Sequence, residues 1–204
     1  MKVLVVYYSR YGHVRALARA VAEGVGSVPG VELVLRRVAE FPEVERTMAE
    51  DKYASAVWDE HRDVPVCTLE DLSQADGVVF GSPTRYGNMI AQMKSLIDST
   101  AGLWLKGEME GKPAGCFTST ATTHGGQETT LLTMMVPLLH LGMVIVGVPY
   151  STPGMLHTEG RGGTPYGATA VAGPRNELKP TPEDLEIARA LGKRVAEAAV
   201  KLRG

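Results

Sequence analysis

Hydrophobic and polar residues alternate along this chain with two different periods. Val3 to Tyr8 is a continuous apolar run rich in β-branched and aromatic residues, a pattern typical of a parallel strand buried on both faces. The apolar residues that follow recur at helical spacing: Val14, Leu17, Ala18, Val21, Ala22 and Val25. The pattern therefore predicts a strand, a short polar turn and an amphipathic helix.

The same alternation continues to the end of the chain. Further strands are predicted at VELVLRRV (31–38), GVVFGS (77–82), PAGCFTS (113–119) and MVIVGV (143–148). Helices are predicted at 68–75, 89–100, 128–141 and 181 to about 202. Thr68 with Asp71 and Thr181 before Pro182 have the spacing of helix caps. Five strand–helix units predict a doubly wound α/β fold with a parallel sheet, whose ligands collect beyond the carboxyl ends of the strands.

Two segments do not follow the alternation. Residues 39–66 contain a charged stretch compatible with a helix, and residues 150–179 are rich in Gly, Pro and Thr. Insertions of this length are more often functional or oligomer-forming than idle. One domain over residues 1–204 with these two insertions is the simpler interpretation, and a smaller domain with long insertions is the alternative.

The composition favours work on small molecules. The net charge of −2 gives no large field of one sign, so no nucleic acid or membrane partner is expected. Cys67 and Cys116 have no metal or redox spacing, and the histidines have none either, which indicates a reducing compartment, the cytoplasm, and no metal site. The longest apolar run is interrupted and shorter than the roughly 20 residues of a membrane span, so a soluble protein is expected.

The first predicted strand ends in the turn SRYGH, Ser9–His13. No G-x-G-x-x-G and no G-x-x-x-x-G-K-[ST] motif is present. The Ser9 hydroxyl, successive backbone N–H groups, a flexible Gly12 and the start of a helix near Val14 suit a terminal phosphate monoester, which needs no lysine. The alternative is an ordinary turn in which Ser9 only caps the helix.

Two more unusual loops follow the third and fourth predicted strands, and parallel strands would bring all three loops to one edge. PTRYGN, residues 83–88, combines a rigid proline, a bidentate arginine, a tyrosine that could stack and a glycine. STATTHGG, residues 119–126, offers hydroxyls and glycine to an acceptor-rich planar ring. Singly, each would be interpreted as a polar surface loop.

Several motifs carry a family resemblance. In chain order, YYSRYGH, GSPTRYGNM, LIDSTAGLW, GGQETTLL, HLGMVIVG and RGGTPYGAT resemble the WrbA family of flavodoxin-like type IV NAD(P)H:quinone oxidoreductases, nearly end to end. The resemblance implies a flavodoxin-like five-stranded parallel sheet of order 2-1-3-4-5, one non-covalent FMN per subunit and a homotetramer. Nothing in the charge balance supports the DNA-related partner in the family's full name, tryptophan-repressor-binding protein.

The resemblance also implies the cofactor-binding residues. They are Ser9, Arg10, Tyr11, Gly12, His13 and Val14 at the phosphate; Pro83, Thr84, Arg85, Tyr86, Gly87 and Asn88; Ser119, Thr120, Ala121, Thr122, Thr123, His124 and Gly125; and His140. The third loop departs from the family pattern, because it is one residue longer and has His124 where a glycine is expected.

Four residues are implied to serve the substrates: Tyr11, Tyr86, Trp104 and His140. His140 would lie beside the flavin and hydrogen-bond or protonate a quinone oxygen, since imidazole titrates near neutral pH; the alternative is a wall residue without a proton role. Trp104 would reach a neighbouring subunit's flavin, or otherwise pack in the core. Tyr11 could equally be a plain turn residue.

Two functions are compatible with this resemblance. In the first, the chain is a flavoenzyme: NADH or NADPH reduces FMN and leaves, and a quinone then takes both electrons in the same cavity, by a ping-pong mechanism. In the second, it is a non-catalytic electron carrier or regulatory flavoprotein. The near-neutral charge and an accessible pocket favour the enzyme, and the sequence shows no preference between NADH and NADPH.

Overall fold

The computed structural model describes residues 1–48, 50–159 and 162–203. Its strands are β1 (Lys2–Tyr7), β2 (Glu32–Arg37), β3 (Gly77–Arg85), β4 (Asn88–Met89), β5 (Pro113–Thr120), β6 (Val144–Ile145) and β7 (Ala168–Val171). Its helices are α1 (His13–Gly26), α2 (Pro42–Met48), α3 (Lys52–His61), α4 (Leu69–Gln74), α5 (Ala91–Asp98), α6 (Ala101–Leu105), α7 (Gln127–His140) and α8 (Pro182–Arg203). None of the helices in these ranges is long and apolar enough to cross a membrane.

The core of the sheet has the order β2-β1-β3-β5-β6, and neighbouring strands in it are parallel. The short strand β4 lies outside this path and pairs antiparallel with the end of β3. The order 2-1-3-4-5 predicted from the resemblance is therefore confirmed once β4 is set aside. Because the strands are parallel, the carboxyl ends of β1, β3 and β5 meet at one edge.

The fifth strand position is divided between two segments, which corrects the prediction of one strand over residues 143–148. β6 pairs with the start of β5, and β7 pairs with its end. The chain leaves the sheet after Val146, because Val148 N donates to Pro165 O at 3.1 Å and not to β5. A β-carbon on Gly147 would lie 2.2 Å from the same carbonyl oxygen, so only glycine permits this departure.

Alternate residues of β1 belong to different layers of the core. Val3, Val5 and Tyr7 pack with α1 and α8, whereas Leu4, Val6 and Tyr8 pack with α4, α5 and α7. This period of two is the geometry of a strand covered on both faces. It explains why the strand reads as an unbroken apolar run.

Helices α1 and α8 cross in backbone contact. A β-carbon on Gly24 would lie 2.0 Å from the carbonyl oxygen of Arg189, and one on Gly192 would lie 2.0 Å from that of Val21. A real β-carbon cannot approach an oxygen so closely. The two glycines therefore set the distance between the helices.

Local capping signals explain the starts of two helices, α4 and α8. The predicted cap of α4 is confirmed, since Thr68 and Asp71 form a reciprocal capping box. Thr181 and Asp184 likewise exchange hydrogen bonds at the start of α8. The helix predicted from Met89 begins instead at Ala91, because Met89 pairs with β3.

The segment predicted as the first insertion forms α2 and α3. Met48, Ala54 and Trp58 make a small apolar cluster there, and Tyr11 packs against it. This cluster connects the segment to the turn after β1, where the candidate site begins.

Candidate functional site

The three predicted loops meet around a cavity of about 330 Å³ at the carboxyl edge of the sheet. Its lining comprises Ser9, Arg10, Tyr11, His13, Val14, Pro83, Thr84, Arg85, Ser119, Thr120, Ala121, Ala172, Pro174 and Asn176. Parallel strands therefore bring together side chains that are more than 100 positions apart in the sequence. The wall from residue 172 to 176 was not among the predicted site residues.

The turn after β1 opens α1 directly at this cavity. Gly12 is the N-cap residue with a φ of 92°, a left-handed conformation that favours glycine, and it has no side chain to cap the helix. The Ser9 hydroxyl is buried and accepts a hydrogen bond from Gly12 N at 3.2 Å. Ser9 thus holds the turn and leaves the first N–H groups of α1 to another acceptor. Such groups, at the positive end of a helix, are suited to an anion.

The turn between β3 and β4 consists of two residues in the left-handed region, Tyr86 (φ 53°) and Gly87 (φ 77°). A two-residue hairpin turn of type I′ needs a positive φ at both positions, which glycine adopts easily and tyrosine does not. The Tyr86 side chain is fully exposed. A strained residue that holds an aromatic ring in solvent beside a cavity offers a stacking surface to a planar ligand.

Helix α7 holds this hairpin through two threonines that the sequence analysis missed. Thr130 Oγ1 lies 2.8 Å from Thr84 Oγ1, and Thr133 Oγ1 lies 3.2 Å from the Gly87 carbonyl oxygen. A β-carbon on Gly126 would lie 3.1 Å from the Gly87 α-carbon, so the hairpin and the start of α7 touch. In the sequence, the threonines of QETTLLT at positions 130 and 133 have the spacing of one helix face, which could have indicated a polar contact there.

The third loop divides in two. Ser119, Thr120 and Ala121 line the cavity, but residues 122–125 do not. Gly125 N and the Thr120 hydroxyl both donate to the Thr122 carbonyl, at 3.0 and 2.8 Å, so this part closes on itself. In this structure only the first part of the predicted loop contributes side chains to the cavity.

A hydrogen bond from α1 holds the chain just after residues 172–176, the part of the cavity wall that was not predicted. The His13 ring nitrogen Nε2 lies 2.7 Å from the Leu178 carbonyl oxygen. A carbonyl only accepts, so Nε2 carries the proton, and burial lowers the pKa of this imidazole. The positive φ of Asn176, 59°, turns the segment toward the cavity. Gly173 and Pro174 were the sequence signal of a turn here.

The remaining predicted residues lie in two adjoining concavities. Tyr86 and Asn88 line one of about 600 Å³, which shares Arg10 and Arg85 with the first cavity. Trp104 and His140 line an apolar groove of about 650 Å³ between α5–α6 and α7, together with Asn88. The structure therefore brings His140 next to Trp104, and it does not bring either residue into the cavity of the three loops.

The chemistry of the first cavity fits an FMN phosphate. It combines an open helix N-terminus, the hydroxyls of Ser9, Thr84, Ser119 and Thr120, and the guanidinium groups of Arg10 and Arg85. Neutral and cationic donors of this kind satisfy a phosphate monoester and a polyol chain without a lysine. Together with the sheet order, the cavity defines the class: a flavodoxin-like α/β protein with a site for a mononucleotide.

Comparison with known proteins is consistent with this class. Residues 1–155 match the family model of the NADPH-dependent FMN reductases. The chain belongs to this family. The chain is 51% identical to an NAD(P)H dehydrogenase (quinone) of Geobacter sulfurreducens and 49% identical to one of Solidesulfovibrio magneticus, in both cases over all of this chain and all of the relative.

A solved structure gives the same result. The flavodoxin-like WrbA-like protein from Agrobacterium tumefaciens is 25% identical, with a TM-score of 0.64 over 98% of each chain. The family resemblance inferred from the motifs is confirmed. The predicted cofactors, FMN and NAD(P)H, are confirmed at the level of the family, and the chain is an NAD(P)H-dependent flavin oxidoreductase.

Proposed function

We propose that this protein reduces quinones to hydroquinones with electrons from NAD(P)H, using FMN in the cavity at the carboxyl edge of the sheet. The observation that carries the proposal is the uncapped N-terminus of α1, which opens into a cavity lined by hydroxyls and arginines. The curated relatives of equal length are named NAD(P)H dehydrogenase (quinone), which supports the choice of substrates.

The residues of this chain bind and orient the reactants. Ser9 and the first turn of α1 hold the phosphate, and Thr84 and Ser119 offer hydroxyl groups farther along the cavity. When bound, FMN supplies the hydride acceptor and donor chemistry. Tyr86 and Tyr11 offer aromatic surface to the planar reactants, and one accessible flavin face serves both substrates in turn.

The apolar groove with Trp104 and His140 completes this scheme in a homotetramer. Trp104, Leu105, Val136 and Leu139 are large apolar side chains exposed on one chain. A second copy that covers them would bring Trp104 toward the flavin of its neighbour and would place His140 beside a quinone. Burial between copies also removes apolar surface from water, which favours assembly.

The function is tested by following the flavin colour. We expect NADH or NADPH to bleach the flavin absorbance of the purified holoprotein in stopped flow, and added benzoquinone to restore it. Because both substrates use one flavin face, double-reciprocal plots at several quinone concentrations should be parallel. A flavin that only a protein reductant can bleach would support the non-catalytic carrier instead, and intersecting plots would contradict the shared face.

His140→Ala is expected to slow the quinone half-reaction at least several-fold more than flavin reduction by NADH. The reason is that only the quinone step needs a hydrogen-bond donor at the quinone oxygen. The two half-reactions are measured separately in stopped flow, with His157→Ala as the control because this exposed histidine lines none of the three concavities. Equal losses in both half-reactions would make His140 a wall residue.

A further inference from the structure

Asp51 joins the α2–α3 segment to the candidate phosphate turn. The residue directly precedes α3, and its carboxylate oxygen Oδ1 accepts a hydrogen bond from Ala54 N at 3.1 Å. Its backbone carbonyl accepts from Ser55 N at 2.8 Å. Asp51 is thus the N-cap of α3, in the geometry that aspartate prefers.

The other carboxylate oxygen of Asp51 reaches the turn after β1. Tyr11 Oη donates to Asp51 Oδ2 at 3.2 Å, and Arg10 NH2 lies 3.7 Å from the same oxygen. Arg10 Nε in turn donates to Tyr11 Oη at 3.2 Å. Arg10 and Tyr11 both line the cavity that we assign to FMN. One carboxylate therefore caps a helix and fixes two residues of the cavity wall.

Packing supports the same connection. The Tyr11 ring packs on the apolar cluster of Met48, Ala54 and Trp58. Val57 Cγ2 lies 3.4 Å from the position that a β-carbon on Gly12 would take, so α3 lies against the turn itself. The turn and α3 can then be ordered only together.

We propose that Asp51 is a positioning residue that couples FMN binding at the turn to the order of α3. The proposal rests on the assignment of the cavity to FMN. A ligand that binds the ordered turn stabilises whatever is ordered with it, and the coupling is reciprocal. FMN binding should therefore protect α3, although none of the α3 side chains that the structure describes lines the cavity, and loss of the coupling should weaken FMN binding.

Two variants separate this coupling from simple folding of α3. Asp51→Ser keeps a good N-cap residue but is too short to reach Tyr11 and Arg10. Tyr11→Phe leaves the cap untouched and removes the hydroxyl that donates to Asp51 and accepts from Arg10. Asp59→Asn is the matched control, because Asp59 lies on α3 and pairs with the exposed Arg62, away from the turn.

Hydrogen exchange measured by mass spectrometry, with and without FMN, tests the proposal. In the unchanged protein and in Asp59→Asn, we expect FMN to slow exchange in both α1 and α3, in α3 on the order of tenfold. In Asp51→Ser and in Tyr11→Phe, α1 should still be protected, the FMN effect on α3 should be smaller because packing alone then joins α3 to the turn, and the FMN dissociation constant should rise. The double variant should show no further loss relative to Asp51→Ser, because Asp51→Ser already removes the carboxylate that holds Tyr11.

The result that overturns the proposal is full FMN-dependent protection of α3 in Tyr11→Phe or in Asp51→Ser. Failure of the proposed function has a different signature. If the cavity does not hold FMN, the amides of α1 in the unchanged protein would not respond to FMN at all.

Discussion

Gly24→Ala is expected to destabilise the protein by about 3 kcal/mol, the upper end of the usual cost of overpacking. Its new β-carbon would lie 2.0 Å from the Arg189 carbonyl oxygen, and the backbone of α8 cannot yield locally as a flexible side chain could. Relief requires α1 and α8 to separate, which loosens the apolar layer that both helices share with β1. Gly192→Ala should have an effect of similar size, because its β-carbon meets the Val21 carbonyl oxygen at the same distance.

Chemical unfolding of the FMN-free protein measures this effect, since bound cofactor would add to the stability of the unchanged protein. Gly26→Ala is the matched control in the same helix. No atom outside its own turn of helix lies within 4 Å of the β-carbon that alanine would add at Gly26. Alanine should therefore stabilise the helix by up to about 1 kcal/mol through better helix propensity. If Gly24→Ala and Gly26→Ala had the same free energy of unfolding, the close helix crossing would be wrong.

Ser9→Ala is expected to weaken FMN binding by about 1.5 to 3 kcal/mol, or roughly tenfold to a hundredfold. The hydroxyl is buried at the start of the turn, and its replacement would remove the hydrogen bond that we propose to the charged phosphate. It also removes the acceptor of the Gly12 N–H, which helps to hold the turn in its left-handed conformation. Both losses act on the same ligand group.

The dissociation constant of FMN, measured by quenching of flavin fluorescence, gives the result. Ser27→Ala is the control, because Ser27 follows the other end of α1 and bonds the Gly24 carbonyl oxygen. An unchanged dissociation constant in Ser9→Ala would place the phosphate elsewhere.

The pigment released from the protein by heat should be FMN, identified by mass, since the turn after β1 suits a terminal phosphate. Recovery of FAD at one per chain would contradict the proposed cofactor.

Much of the fold follows from local pattern. The run Val3 to Tyr8 predicts a strand covered on both faces, because its odd-numbered and even-numbered residues are all apolar. In the structure, the two sets of residues pack in two different layers of the core. The capping pair of Thr68 and Asp71 is also a local signal, which needs only its own turn of helix. Such features depend on neighbours in the sequence and are therefore legible in it.

The wrong predictions arise where distant pairing overrides local pattern. The apolar segment 143–148 has the composition of a full strand, but Val148 N donates its hydrogen bond to the Pro165 carbonyl oxygen and not to β5. Met89 fits the helical pattern of the residues after it, but it pairs with Thr84 in the hairpin. In both cases the competing partner is not adjacent in the sequence, and propensity alone could not reveal it.

The candidate site shows the same division. The loops that directly follow β1, β3 and β5 were predicted because parallel strands place them at one edge. The wall from Ala172 to Asn176 was missed, because it follows β7, and β7 reaches the sheet only through pairing across a long excursion. Likewise, His140 and Trp104 share a groove only because distant parts of the chain, α6 and α7, both contribute to its lining.

The fifth strand position is shared by β6 and β7, so the length of the segment between them does not determine the architecture of the sheet. The segment between β6 and β7 leaves and rejoins beside the same strand, β5, so pairing with one strand fixes both of its ends. Doubling the length of such a loop costs only about 0.6 kcal/mol in closure entropy. Insertions and deletions acquired during evolution can therefore accumulate between these strands without changing the register of β5 or the cavity at its end.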